Sequence, residues 1–266
     1  MDLRQTEPVA HYPLPGVVIL SVRRMKAKRV VETVGWIVIV YLVYVGLGAL
    51  FERSLFMNEV LVNPPANPQQ ALDPFSVRYF EHPVVVILHL IPAFLVFILG
   101  PLQFIRKFRS RWINLHRWSG RVFIASGMVA GISGFTMGTI YPFGGYEAGF
   151  NEAMAIAFLS ASVFFGLVKA LVHIKKRQIA LHREWMIRSF ALLLSVATER
   201  VIMLPIRAYT EIPFIEAFGT ALWMAFVINL IMAEIWVHWT RPIQQGAQLH
   251  WKDTSEGTME EQAAAL

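Results

Sequence analysis

Six apolar runs, each near the ~20 residues that a helix needs to cross a bilayer, constrain this chain more than any other feature. They cover approximately Val34–Phe51, Pro83–Phe104, Val122–Tyr141, Ala153–Ile174, Met186–Ile206 and Ala217–Trp239. In lipid the backbone must satisfy its own polar groups, so apolar runs of this length become helices. The predicted fold is an all-α integral membrane protein, a bundle of six transmembrane helices with the lipid bilayer as its first partner. Composition agrees: 16% of the 266 residues are charged, against ~25% in a soluble domain.

Charge placement sets the expected topology. The net charge is +6, which in a soluble protein would suggest nucleic acid. Here the basic residues stand in short blocks between apolar runs, which points to a membrane and not to nucleic acid. Arg23, Arg24, Lys26, Lys28 and Arg29 precede the first run. Arg106, Lys107, Arg109, Arg111, Arg117 and Arg121 separate runs two and three. Lys175, Lys176, Arg177 and Arg183 separate runs four and five. The alternate connections hold few cations: Arg53 and Arg78, then none, then Arg207. The positive-inside rule then puts both termini in the cytoplasm and the protein in the cytoplasmic (inner) membrane. Residues 1–32 read as an N-terminal tail, 33–241 as the six-helix domain and 242–266 as a flexible C-terminal tail. The longest outer loop, 52–81, contains "NPPANPQQALDP", too proline-rich for regular helix. "ALDPFSVRYF" within it suits a short amphipathic piece lying on the outer surface.

Ionisable groups inside the apolar runs call for a reason, since each costs ~2.5 kcal/mol or more at the bilayer centre. His89 lies about two turns inside span two, seven residues after His82 and so on roughly the same face. Pro92 follows it and removes the amide that would bond the carbonyl of residue 88. His89 reads either as a neutral histidine bonded to a neighbouring helix or as a metal or heme ligand or proton-transfer group. Glu199 and Arg200 are adjacent in span five. Their side chains leave the helix about 100° apart, so they are not expected to pair with each other along one face; they read either as an Arg–Glu pair between helices or as a proton or quinone site. Glu234 and His238, four apart, share a face near the end of span six, a spacing that suits either a shared metal or a helix-end hydrogen bond. In span three, Gly127, Gly131, Gly134 and Gly138 form a ridge, for helix packing or for a flat cofactor laid against it.

The stretches "NLHRWSGRVF" (114–123) and "ALHREWMIRSF" (180–190) each open a span with Leu-His-Arg. The topology brings His116 and His182, at the starts of spans three and five, to the same side as His173 and His238, at the ends of spans four and six. Neutral imidazole ligates iron, copper or zinc. Two histidines on facing helices can hold heme b axially, with Arg117, Arg121, Arg183 or Arg188 near its propionates. Trp112, Trp118 and Trp185 with these arginines also suit plain anchoring at the interface. There is no cysteine, which excludes disulfides, thiolate metal sites and cysteine nucleophiles.

"HPVVVILHLIPAFLVFILGPLQF", "LHRWSGRVF" and "HREWMIRSFAL…ER" together resemble a bacterial family of multi-spanning membrane proteins with a domain of unknown function. The resemblance covers roughly His82 to Trp239 and implies a multi-helix fold without an assigned chemistry. "LHRWSGR" is also similar to the His-[RS]-W-x-G element of ferric-reductase-like and cytochrome b561-like proteins, which implies a heme b ligand at His116. Their second histidine on the same helix is missing, since Val129 and Ala130 stand there. The resemblance therefore implies one heme or none.

Three functions follow as expectations. The first is a redox protein with a b-type heme or quinone and an outside redox partner, for no nucleotide fingerprint occurs. The second is a transporter or an accessory subunit of a larger membrane complex. The third is an enzyme with a single metal ion drawn from His116, His182, His89, His238 and Glu234. No motif assigns a catalytic reaction or an oligomeric state.

Overall fold

The computed structural model describes residues 15–72, 74–142 and 149–241. Among the described residues there is no strand, and six helical segments are long and apolar enough to cross a membrane. The order is α1 (Pro15–Val62), the short α2 (Pro68–Ala71) and α3 (Pro74–Glu81), α4 (Pro83–Phe104), the basic α5 (Arg106–Arg111) and α6 (Ile113–Phe135) with a closing π-turn (Thr136–Ile140). Then come α7 (Phe150–Lys175), the pair α8 (Ile179–Leu193) and α9 (Ser195–Tyr209), and α10 (Phe214–Thr240). Each expected span falls on one of these segments. Most of the expected tails, 1–14 of the first and 242–266, lie outside the described residues.

α1 extends past its expected span at both ends, through the basic stretch before it and into the stretch read as outer loop. It stops where Pro64 and Pro65 prevent continuation. Helix resumes at Pro68, whose fixed φ suits a first helical position. α3 is the expected amphipathic piece; its Val77 and Tyr79 are buried.

Around the bundle, α4 packs on α6, α6 on α7, α7 on α8 and α10, and α9 on α10, while α1 lies against α4, α9 and α10. Phe190 sits at the centre, 3% exposed. It occupies the space that Gly100 of α4 leaves by having no side chain, stacks on Phe104 at 5.5 Å and meets Phe123 edge-on at 6.0 Å. Outward-facing positions such as Val84, Ile91, Phe158 and Met224 are apolar and exposed, as a lipid-facing surface requires.

The glycine ridge of α6 is a packing surface. Gly127 faces Leu167 and Leu193, Gly134 faces the ring of His89, and Gly138 faces Ile156. Small residues let these neighbours close in, the usual device between membrane helices.

Span five is two helices. At Leu194 the α-helical run breaks, and Asn229 of α10 donates through Nδ2 to the Ala191 carbonyl over 2.9 Å. That carbonyl is the acceptor the Ser195 amide would use in an unbroken helix, so the inserted amide is a physical cause of the break. Thr198 donates to Asn229 Oδ1 over 3.0 Å, which leaves the buried amide paired at both ends.

The α7–α8 connection is a tight helix stop. Arg177 takes a left-handed conformation, φ 58°, with Gln178 N–H bonded to the His173 carbonyl and Arg177 N–H to that of Ile174. This is the helix-ending arrangement in which glycine usually occupies the left-handed position.

Candidate functional site

Two chambers lie at opposite ends of the bundle. The larger, about 780 Å³, is at the basic end. Its wall comes from Lys28, Arg29 and Glu32 of α1, Gln103 of α4, Arg106 and Arg109 of α5, His116 and Arg117 of α6, and His182 and Arg183 of α8. Turns at Ile105 and Trp112 set off the basic α5, whose Arg106, Lys107 and Arg109 line the chamber, and the Arg177 turn leads into the helix that brings His182 to it.

His182 is oriented from behind. Its Nδ1 lies 2.9 Å from the Ala170 carbonyl, which can only accept, so Nδ1 carries the proton. In the neutral ring Nε2 is then left as a free ligand atom, the pattern by which proteins orient metal-binding imidazoles. His116 has a buried Nδ1 with no hydrogen-bond partner among the described residues, and the Phe108 ring stands edge-on to it at 6.4 Å. A buried orphan of this kind marks a place where a ligand or water belongs.

The remaining expected ligands go elsewhere. His173 pairs through Nδ1 with Gln178 Oε1 at 2.6 Å beside the helix stop. His238 is exposed and edge-on to Trp239. Glu234 accepts a two-pronged pair from Arg188, 2.5 and 2.9 Å. Arg188 also lies 3.7 Å from Glu184. Arg121 lies over the exposed Trp118 ring at 5.2 Å and outside the chamber. Of the four expected histidines, His116 and His182 share this chamber, with Arg117 and Arg183 as the expected arginines that line it too. Among the described residues no group of three or more His, Cys, Asp or Glu is gathered as a metal site.

Charged groups close the basic end. Arg241 donates to both Glu184 oxygens, 2.7 and 2.8 Å, and Arg183 donates to Thr240 Oγ1 over 2.7 Å. Both tie α8 to the end of α10.

The smaller chamber, about 150 Å³, lies in the opposite half, with His89, Arg53, Tyr79, Ser160 and Arg200 on an otherwise apolar wall. Burial pushes the Tyr79 phenol above its ordinary value, with the Arg53 charge pulling the other way; that guanidinium lies 4.4 Å from the ring centroid. Glu199 is 2% exposed, and Arg200 Nη1 reaches back to it at 3.3 Å while donating to the Val196 carbonyl at 2.8 Å. The adjacent pair therefore does interact, contrary to expectation, because the arginine stem is long enough to span the angle between the two positions.

Glu152 escaped sequence reading. It is 1% exposed, and neither carboxyl oxygen has a hydrogen-bond partner among the described residues. Gly219 makes that burial feasible: a Cβ there would sit 2.7 Å from the Glu152 amide nitrogen. The signal was present, a carboxylate one residue before the apolar run that opens at Ala153, but it reads as an ordinary first-turn acid. Asn229, a lone amide in "WMAFVINLIMAE", is another polar residue in a span that sequence reading passed over.

No curated protein and no solved structure matches the chain. The family model described as "Predicted membrane protein (DUF2306)" matches residues 86–237, more than half of the sequence, and its limits enclose His89, His116, His182, Glu199 and Asn229. A helical bundle with six apolar crossing segments and this match have one consequence: the chain belongs to the DUF2306 family of predicted membrane proteins.

Proposed function

We propose that the protein is an electron-transfer component of the cytoplasmic membrane, with both termini in the cytoplasm and one b-type heme in the basic chamber. The observation that carries this is that His116 and His182 share one chamber. They come from the two Leu-His-Arg elements, on different spans, and line one chamber. The residues suit the group. His182 presents Nε2 with its back nitrogen tied to Ala170, His116 lines the same chamber, and Arg106, Arg109, Arg117 and Arg183 offer donors for two propionates. A bound heme would supply a one-electron carrier. The chain itself would orient the imidazoles, neutralise the carboxylates and leave a basic mouth for an acidic redox partner.

The test is the visible spectrum of the full chain, purified in mild detergent after heme-supplemented expression. A Soret band that shifts on dithionite reduction, and is lost in His116→Ala and in His182→Ala, is expected. A colourless preparation would overturn the assignment.

A second reading, a transporter or accessory subunit, draws on Glu152. A buried carboxyl without a partner beside the broken span five suits a moving ion or proton. Reconstituted vesicles that acidify or alkalinise only with wild-type protein, and not with Glu152→Gln, would favour it.

A further inference from the structure

The small chamber has a polarity that defines an occupant. His89 Nδ1 lies 3.0 Å from the Ala130 carbonyl oxygen and 3.3 Å from Ser133 Oγ. The carbonyl has no proton to give, so Nδ1 carries it, and in the neutral ring Nε2 is a bare acceptor. Nε2 has no hydrogen-bond partner among the described residues, and the ring lines the chamber. Gly134 makes room for it, since a Cβ there would stand 3.2 Å from Cε1. Arg200 also lines the chamber, with Nη1 committed to Val196 and Glu199. Its Nε and Nη2 remain as donors without a protein partner among the described residues. Arg53, Tyr79 and Ser160 also line the chamber, and the rest of its wall is glycine and apolar side chains.

Size decides the next step. The chamber measures about 150 Å³, and an engineered apolar cavity of about 150 Å³ in another protein holds one benzene ring. A porphyrin is far too large, so this is not a second heme site. A carboxylate of one-ring size would satisfy Arg200 but offers His89 Nε2 no hydrogen.

We propose that the chamber lined by His89 and Arg200 binds a single hydroxylated aromatic ring, of the hydroquinone class. One ring hydroxyl donates to His89 Nε2, and the oxygen on the other side accepts from Arg200. The ring body lies among the apolar side chains. The site does not depend on a heme in the basic chamber.

The test uses the full chain in nanodiscs, with binding of methylhydroquinone followed by calorimetry and empty discs subtracted. Its dimethyl ether, with the same ring and no hydroxyl hydrogen, is the control. Losing one hydrogen bond of about 1.4 kcal/mol weakens binding about tenfold, so the ether is expected to bind at least that much more weakly. In His89→Phe the preference for the hydroquinone disappears. If that variant fails to fold, the wild-type comparison of the two probes stands alone. Equal affinity for both probes, no saturable binding of the hydroquinone, or tighter binding of benzoate would overturn the proposal. Because none of these readouts uses the visible spectrum, a colourless protein that still discriminates between the probes would remove the heme and keep this site.

Discussion

Arg241 grips Glu184 with two nitrogens, at 2.7 and 2.8 Å, across 57 residues of chain. The carboxylate is 8% exposed and its partner 55%, so the pair is a buried acid reached from outside by an arginine just past the last span. Glu184→Gln removes the acceptor that joins α8 to the end of α10 and leaves several cations around an uncharged amide. A melting temperature lowered by several degrees in detergent is expected. Glu234→Gln, at a 53% exposed carboxylate, lowers it less.

Asn229 fills the break in span five. Asn229→Ala leaves the Ala191 carbonyl and the Thr198 hydroxyl without their partner. Hydrogen bonds between membrane helices contribute about 0.6–1.7 kcal/mol, so a loss of about 1–2 kcal/mol is expected in denaturation from mixed micelles. No loss would mean that the break stands without its amide.

The two nitrogens of His182 can be separated by substitution. Asparagine places an amide donor near the position of Nδ1, so His182→Asn keeps the bond to Ala170 and removes Nε2. The expected outcome is a folded protein of nearly wild-type melting temperature without the heme band. His182→Ala loses both the band and some stability. A heme band retained in the asparagine variant would exclude His182 as a ligand.

Tyr79 gives a pH signature. Its phenol is held above the ordinary tyrosine value of about 10 because burial penalises the phenolate. A raised value in the folded state means that the folded protein holds the proton more tightly. The stability this contributes is full below about pH 10 and is lost as pH rises through the folded value. Melting temperature is therefore expected to fall more steeply above pH 10 in wild type than in Tyr79→Phe. Parallel profiles would show that the phenol does not govern alkaline stability.

Arg177 pays for its left-handed backbone. Glycine adopts that conformation without the side-chain clash, which costs other residues about 1–2 kcal/mol. Arg177→Gly is expected to raise stability by up to about 1 kcal/mol, the gain being offset in part by glycine's greater freedom when unfolded. A lowered melting temperature would show that the Arg177 side chain contributes more than its backbone costs.

The six spans were legible because a bilayer enforces length and apolarity, and each run from Val34–Phe51 to Ala217–Trp239 coincides with helix. The repeated Leu-His-Arg pointed to His116 and His182, which line one chamber. The places of His238, Glu234, Arg121 and Arg188 were not legible, because which side of a helix faces inward depends on partners distant in sequence. Arg188 finds Glu234 46 residues away, and Arg121 turns to its neighbour Trp118. The break at Leu194 was equally hidden. It has no proline or glycine to announce it, and its cause, Asn229, lies on another span.

Between His182 and Leu193 on α8, and between His116 and Ala130 on α6, stand Phe190 and Phe123, locked edge to face. Both are almost wholly enclosed, and together they fill the core between those positions. A compound moving between the two chambers along this line would have to displace one of these rings.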